Sequence, residues 1–442
     1  MKTYKKLKFV ELRELGFWDT KRYLNISDKK FKNNITLSDV LIPYKKKISK
    51  REMIEKKYAI ISKINFGGEL FLRDLNNIEN YKGDIYLVPD NSIIYSKINV
   101  KHGCIFYNDK GNTPFGVSSE YPIFTFDNTI VSGKFLQKLL RTQEFKKFLD
   151  AKATGISKAR VKQADFLTIR VPLPPLSEQE TIVKNYYDKI TQATTYEQQA
   201  ETLEKNIESY LFESLGIEEL DKRKKIGLNI IESKRMERWD IPFLMGESSL
   251  KSKYSIYRMG EYIVEIATGT TPPTSRKEYF RGDINFYTPS DINNKILLNA
   301  DRKVSLLAVK DKKVRVFKKN TLLFVGIGST VGKVGIIGNE FATSNQQITG
   351  FNVDENMLLT EYVYYYFTYF KNVTTKEQTK ATLPIVNQEK IMNILIPIPP
   401  KETQQAIINQ IDTYKNEIKI LRERATLLKQ QAEQEFEQTI FS

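Results

Sequence analysis

The sequence predicts two strand-rich α+β domains, related by a pseudo-twofold duplication and separated by two long helices that pair as an antiparallel coiled coil. Three observations carry that fold class: a Pro-rich segment that occurs twice, a heptad pattern after each copy, and short β-like runs ahead of each copy. Residues 172–183 read PLPPLSEQETIV and residues 397–408 read PIPPKETQQAII. Pro172/Pro397, Pro174/Pro399, Pro175/Pro400, Gln179/Gln404 and Ile182/Ile407 match at one constant shift, which also aligns Thr154/Thr379, Val161/Val386 and Ile169/Ile394. The two tryptophans sit in comparable contexts, Trp18-Asp19 and Trp239-Asp240. A repeat this long makes each half a unit of about 220 residues, not one turn of a solenoid.

Residues 1–170 form the first domain. Runs at 92–95 (SIIY) and 104–107 (CIFY) read as strands, Gly67-Gly68 and Lys110-Gly111-Asn112 as turns, and 132–149 as helix. Residues 171–220 hold the Pro-rich start and the first long helix. Prolines bar that helix from extending backwards, and Ser177 with Glu180 has the spacing of a capping box. Its seam is Ile182, Tyr186, Lys189, Ala193, Tyr196, Ala200, Leu203, Ile207 and Tyr210, in alternating steps of four and three residues. Lys189 on that seam weakens the pairing locally or supplies a polar contact that sets register.

Residues 221–395 form the second domain, with strand-like runs at 321–325 and 333–337, a turn at 337–339 and a helix at 360–370. Residues 396–442 carry the second Pro-rich start and helix, with the seam Ile407, Ile411, Tyr414, Ile418, Leu421, Ala425, Leu428 and Ala432. At 1.5 Å per residue, each helix is a rod of roughly 50–60 Å. A narrow seam lined by Ala and Tyr suits a partner helix better than a globular core; packing of each helix on its own domain is the alternative. A chain that returns from the first helix through a whole domain to the second favours antiparallel pairing.

Composition removes many chemistries. The chain has 442 residues, with 69 Lys+Arg against 53 Asp+Glu and a formal charge of +16. One Cys (Cys104) excludes a disulfide framework, and one Cys with one His (His102) leaves too few ligands for a structural zinc site. Any Ser-His or Cys-His pair has only His102 to use. The glycine-rich segment at 326–333 fails the P-loop spacing, because Gly328 is too close to Gly332 and Lys333 is followed by Val334. A hairpin or bulge between two strands is the better reading. The Phe324-Val325-Gly326-Ile327-Gly328 run superficially resembles a methyl-donor segment, but no Pro-Pro pair has the aromatic context that a base-flipping methyltransferase needs. No apolar stretch approaches the length of a membrane span. Glu11, Arg13 and Glu14 interrupt the apolar segment that a signal peptide would place after the basic start. A cytoplasmic protein is the expectation.

The positive charge points to a polyanion or to solubility. Runs such as Lys45-Lys46-Lys47 suit solvated surface. Loops that interleave cations with hydroxyls and amides are more suggestive, because phosphates take cations and base edges take amides and hydroxyls. Thr268, Gly269, Thr270, Ser275 and Arg276 belong to one such loop, and Asn345, Gln346 and Gln347 to another. In the first half, Ser96 and Lys97, then Ser119 and Tyr121, occupy corresponding places.

Taken together these residues resemble the DNA-specificity subunit of type I restriction-modification systems. In the second half the resemblance runs through Ile266-Ala267-Thr268-Gly269-Thr270-Thr271-Pro272, residues 282–292 (GDINFYTPSDI, with Ser290), residues 328–335 (GSTVGKVG, with Ser329 and Lys333), Ser344-Asn345-Gln346-Gln347 and the Pro397 segment. The first half is similar to the family's other common variety, through residues 96–99 (SKIN), Gly103, residues 118–122 (SSEYP) and residues 154–157 (TGIS).

The resemblance implies a chain that binds double-stranded DNA and serves phage defence, with 1–170 and 221–395 as target-recognition domains that each read one half of an asymmetric bipartite site. It implies that the coiled coil sets the spacer and docks two methyltransferase subunits, with a restriction/translocase subunit in the full complex. The seam residues Ile182, Tyr186, Leu203, Ile207, Ile407, Ile411, Ile418, Leu421 and Leu428 would serve the coil and its partners. Methylation and cleavage then belong to other subunits, so this chain has no catalytic residue and no metal, and S-adenosylmethionine and ATP bind only to its partners. Two rivals remain at the level of sequence: a self-contained DNA methyltransferase or nuclease with unrecognised motifs, and a coiled-coil adaptor that binds protein only.

Overall fold

The computed structural model describes residues 34–73, 81–152, 160–217, 250–370 and 385–441. Trp18, Trp239, Thr154, Thr379 and the basic run at 222–225 lie outside them. The chain forms two units, Met1–Glu197 with Arg422–Ser442, and Gln198–Leu421. Both boundaries fall inside the long helices Leu176–Leu215 and Lys401–Phe441, of 40 and 41 residues. Each unit therefore holds one domain and part of both helices.

The helices begin where the prolines allow. The Pro175 carbonyl accepts from the amides of Glu178 and Gln179 at 3.0 Å, and the Pro400 carbonyl from Gln404 at 3.0 Å. This corrects one sequence expectation. Ser177 lies inside the first turn, so the capping box with Glu180 does not form. An N-cap needs extended backbone, and the proline starts the helix one residue before Ser177. The first helix ends on Gly216, in the left-handed region at φ 58. Gly216 N–H bonds the Glu213 carbonyl (3.0 Å) and Ile217 N–H the Phe212 carbonyl (2.9 Å), a Schellman closure.

The two helices pair antiparallel. In the first unit Tyr186 meets Phe436 at 5.8 Å and Glu197 takes both of its hydrogen bonds from Lys429 at 2.8 Å. In the second unit Tyr210 meets Tyr414 at 6.1 Å. The seam is buried as its spacing predicts: Ala193, Ala200 and Ile207 on one helix, and Ile407, Ile411, Ile418, Leu421, Ala425 and Ala432 on the other. Tyr186, Leu203 and Leu428 are half-buried. The second seam continues beyond Ala432 through Phe436 and Ile440. Lys189 keeps its charge on the seam by pairing with Glu435.

In the first unit a four-stranded antiparallel sheet runs Ile42–Tyr44, Ile123–Thr125, Ser92–Tyr95, Ile105–Asn108. A three-stranded sheet of Lys47–Ile48, Ile85–Val88 and Phe115–Val117 and the hairpin Ile61–Ile64/Leu70–Leu72 complete it. The helix expected at 132–149 is two helices, Gly133–Leu139 and Gln143–Lys152. Thr142 breaks them: its hydroxyl donates to the Leu139 carbonyl (2.7 Å) and accepts from Phe145 N–H (3.2 Å). The core packs Phe135, Leu136, Phe145 and Phe166 together with Ile182, Phe436, Ile440 and Phe441 from the long helices.

In the second unit a five-stranded sheet runs Ile263–Thr268, Ile348–Val353, Leu322–Val325, Val334–Ile337, Ile296–Leu297, its last pair parallel. A four-stranded sheet runs Arg302–Val304, Ile284–Tyr287, Phe341–Ser344, Val316–Lys318. The segment at 326–333 is the loop of the hairpin joining Leu322–Val325 to Val334–Ile337, and a strand, not a helix, follows it.

The duplication reappears as hydrogen bonds. Asn34–Thr36 pairs with Arg170–Pro172 in the first unit, and Ile256–Arg258 with Leu395–Pro397 in the second. Leu37 N–H reaches the Ile169 carbonyl and Met259 N–H the Ile394 carbonyl, both at 2.9 Å. Gln179 and Gln404 are each fully buried. The Gln179 amide accepts from Ser132 N–H (2.9 Å) and donates to the carbonyls of Ile130 (3.1 Å) and Pro174 (2.8 Å). The Gln404 amide accepts from Leu359 N–H (2.9 Å) and donates to those of Met357 (2.9 Å) and Pro399 (2.8 Å). Ser132 and Leu359 are the N-caps of Gly133–Leu139 and Thr360–Tyr369, so one side chain ties a long helix to a domain helix in both units.

Candidate nucleic-acid interface

In the second unit four loops converge on an open cleft of about 480 Å³, lined by Thr288, Pro289, Ser290, Asp301, Arg302, Ile327, Gly328, Ser329, Thr330, Asn345 and Gln347. Sheet pairing brings them there. The turn after Phe341–Ser344 is held by Asn345 N–H on the Tyr287 carbonyl (3.1 Å), and Gly326 N–H bonds the Gln347 carbonyl (2.8 Å). Asp291 braces the Thr288–Ser290 loop, accepting from Thr288 N–H (2.7 Å), the Thr288 hydroxyl (2.6 Å) and Asp301 N–H (3.0 Å).

Four of the sequence-selected residues, Ser290, Ser329, Asn345 and Gln347, line this cleft. Lys333 stands at the base of the hairpin loop with its ammonium on Asn293 Oδ1 (2.9 Å), and the exposed Gln346 carbonyl accepts from the Thr271 hydroxyl. Thr268, Gly269 and Thr270 pack beside the cleft as structural parts. Thr268 accepts from Gln388 Nε2 (2.8 Å), and Thr270 from Arg315 N–H (2.8 Å). A Cβ at Gly269 would lie 2.2 Å from Ser344 Oγ and 2.4 Å from the Asn345 carbonyl. Gly269→Ala is therefore expected to cost about 1–3 kcal/mol by overpacking, read as a lowered denaturation midpoint. Ser275 is exposed, and Arg276 is held outside the cleft, on Glu278 (2.7 Å) and on Tyr279, whose hydroxyl donates to Asp311 (2.9 Å).

The first unit places its selected residues at matching positions. Lys97 N–H bonds the Glu120 carbonyl (3.1 Å) as Gly326 bonds Gln347, and Val161 N–H bonds the Lys97 carbonyl (3.1 Å) as Val386 bonds Gly326 (2.8 Å). Residues 118–120 thus stand where 345–347 stand in the other unit. Ser96 is buried, Lys97 Nζ donates to the exposed Ser119's carbonyl (2.6 Å), and Tyr121 is half-buried against Cys104 and its neighbours. Cys104 itself is fully buried, and burial pushes its thiol up to about 11, the opposite of what a nucleophile needs. Among the described residues no group of three or more His, Cys, Asp or Glu could hold a metal ion, and no helix is long and apolar enough to cross a membrane.

Residues 251–430, which contain the whole cleft, match the family model described as the type I restriction modification DNA specificity domain. That match covers less than half of the chain. A curated relative, the type I restriction enzyme MjaIX specificity subunit of Methanocaldococcus jannaschii, is 33% identical over 153 residues, 33% of this chain. The match spans about a third of that relative's length (34%). Two solved structures share the fold over 92% of this chain. One, described under complex assembly and conformational transition of the type I R-M system, is 16% identical, with a TM-score of 0.61 over 98% of its own length. The other, the HsdS subunit of Thermoanaerobacter tengcongensis, is 15% identical, with a TM-score of 0.50 over 96% of its length.

Sequence reasoning missed two charged residues of the cleft, Asp301 and Arg302. Arg302 opens a strand whose partner is Ile284–Tyr287, and that pairing alone carries it to the rim. The Asn-Ala-Asp-Arg turn at 299–302, a cation just after a turn signal, was the available clue.

Proposed function

We propose that this chain is the DNA-specificity subunit of a type I restriction-modification system. Each unit reads one half of an asymmetric, split DNA sequence. The paired helices fix the spacer and dock two methyltransferase subunits, and a restriction/translocase subunit joins in the full complex. The seam residues are spent on helix pairing, so partner subunits take the outward faces of the helices. S-adenosylmethionine and ATP bind to the partners, and this chain supplies recognition without chemistry, in the cytoplasm of a prokaryotic cell.

The observation that carries this reading is the repeated mount. Two domains with different sheets are each tied to the same helix pair by an equivalent buried glutamine. Rigid spacing of two dissimilar readers is what a bipartite asymmetric site demands, as dimer geometry sets half-site spacing elsewhere. Its test is methylome sequencing of cells with and without the gene. A split methylated motif that disappears with the gene is expected, and an unchanged methylome would refute the proposal. Exchange of residues 221–395 for those of a relative should then alter one half of the motif and leave the other intact.

A further inference from the structure

The cleft of the second unit contains side chains whose hydrogen-bonding capacity is already fixed. Asn345 is turned onto its neighbour: its Nδ2 donates to Gln347 Oε1 (2.9 Å) and its Oδ1 accepts from Gln347 N–H (3.1 Å). Asn345 is therefore a positioning residue. It holds the Gln347 side-chain oxygen, while the Gln347 Nε2 hydrogens have no partner among the described residues, so Gln347 has donors to offer. Arg302, exposed on the same cleft, has no ion-pair or hydrogen-bond partner among the described residues and offers donors only. The Asp301 carboxylate, also on the cleft, takes neither a hydrogen bond nor an ion pair among the described residues and is purely an acceptor.

We infer that Arg302 and Gln347 read a guanine, with Asp301 accepting from the cytosine paired to it. This rests on the DNA-reading role proposed above and adds the base chemistry of one half-site. Guanine alone presents two acceptors, N7 and O6, on its major-groove edge, and an Arg fork meets both. Adenine has one acceptor there beside a donor, and thymine one acceptor beside a methyl group, so a set of donors facing either leaves a hydrogen unpaired. Cytosine N4 is the donor that a carboxylate accepts from. The hydroxyls of Ser329 and Thr330, beside Gly328 on the hairpin loop, remain for the backbone or a neighbouring base.

The test uses the chain assembled with its methyltransferase partner and duplexes bearing its methylated motif. Replacing guanine by 7-deazaguanine, one position at a time, removes the N7 acceptor without touching the protein. Binding is expected to fall about 10-fold or more at one guanine, in the half-site assigned to residues 221–395. Arg302→Ala should abolish that sensitivity and let methylation spread to sites with another base at that position, the other half-site being unaffected. Equal binding with 7-deazaguanine at every position of that half, or a half-site that contains no guanine, overturns the inference while leaving the specificity-subunit reading intact. Absence of any split motif in the wild-type complex overturns both. Asn345→Asp, which replaces the donor to Gln347 by a carboxylate, should weaken the same single position.

Discussion

Removal of residues 422–441 is expected to unfold the N-terminal domain, far from the cut in sequence, while the C-terminal domain that directly precedes the deleted segment stays folded. Phe436, Ile440 and Phe441 are buried in the same cluster as Phe135 and Ile182. At about 1.5–3 kcal/mol for each buried side chain, their loss removes about 5–9 kcal/mol, comparable with the whole stability of an ordinary domain, about 5–15 kcal/mol. Polar ties go with them. Glu433 accepts from the Tyr186 hydroxyl (2.8 Å) and pairs with Lys138, and Glu437 accepts from Gln143 N–H (2.5 Å). Hydrogen exchange mapped on residues 34–152 measures the effect. Protection equal to that of the intact chain would contradict it. The single change Phe436→Ala should reproduce the same local loss at about 3–5 kcal/mol.

Gln179→Leu and Gln404→Leu form the second pair of large expected effects, each confined to its own unit. Leucine has a similar volume but none of the three hydrogen bonds. In the first unit it orphans Ser132 N–H and the carbonyls of Ile130 and Pro174, and in the second Leu359 N–H and those of Met357 and Pro399. Each buried group left without a partner costs about 1–3 kcal/mol, so each variant should lose about 3 kcal/mol or more. Gln→Glu should do no better, because it keeps the acceptor, loses both donors and buries a charge. Proteolysis or exchange resolved by residue would show Gln179→Leu loosening the helix at 133–139 and Gln404→Leu that at 360–369. A uniform change across both units would count against the clamp.

The helices and the duplication were legible because their signals are local and periodic. Prolines stop a helix wherever they occur, and a seam in steps of four and three shows itself without any tertiary information. Gln179 and Gln404 were visible as a matched pair, but not as clamps, since their partners at 130–132 and 357–359 lie 45 to 49 residues earlier in the chain. The start at Leu176 was misread because Ser177 had the right spacing for a cap and a proline carbonyl took that role first. Strands of three or four residues announced themselves at 92–95 and 334–337, but their pairing order did not, because register depends on neighbours distant in sequence. The same gap explains the cleft. Asn345 and Gln347 looked alike in the sequence, and only the folded turn makes one a prop and the other a donor. Arg302 was missed because its strand carries it there.

The sharing of each long helix between units also bears on biosynthesis. The segment that completes the first domain's core leaves the ribosome only after the entire second domain has been made. At about 5–20 residues per second, the first domain waits many seconds with Phe135, Leu136 and Ile182 incompletely covered, a natural substrate for holding chaperones. A message broken anywhere in the second half yields a first domain that never closes and is open to proteolysis.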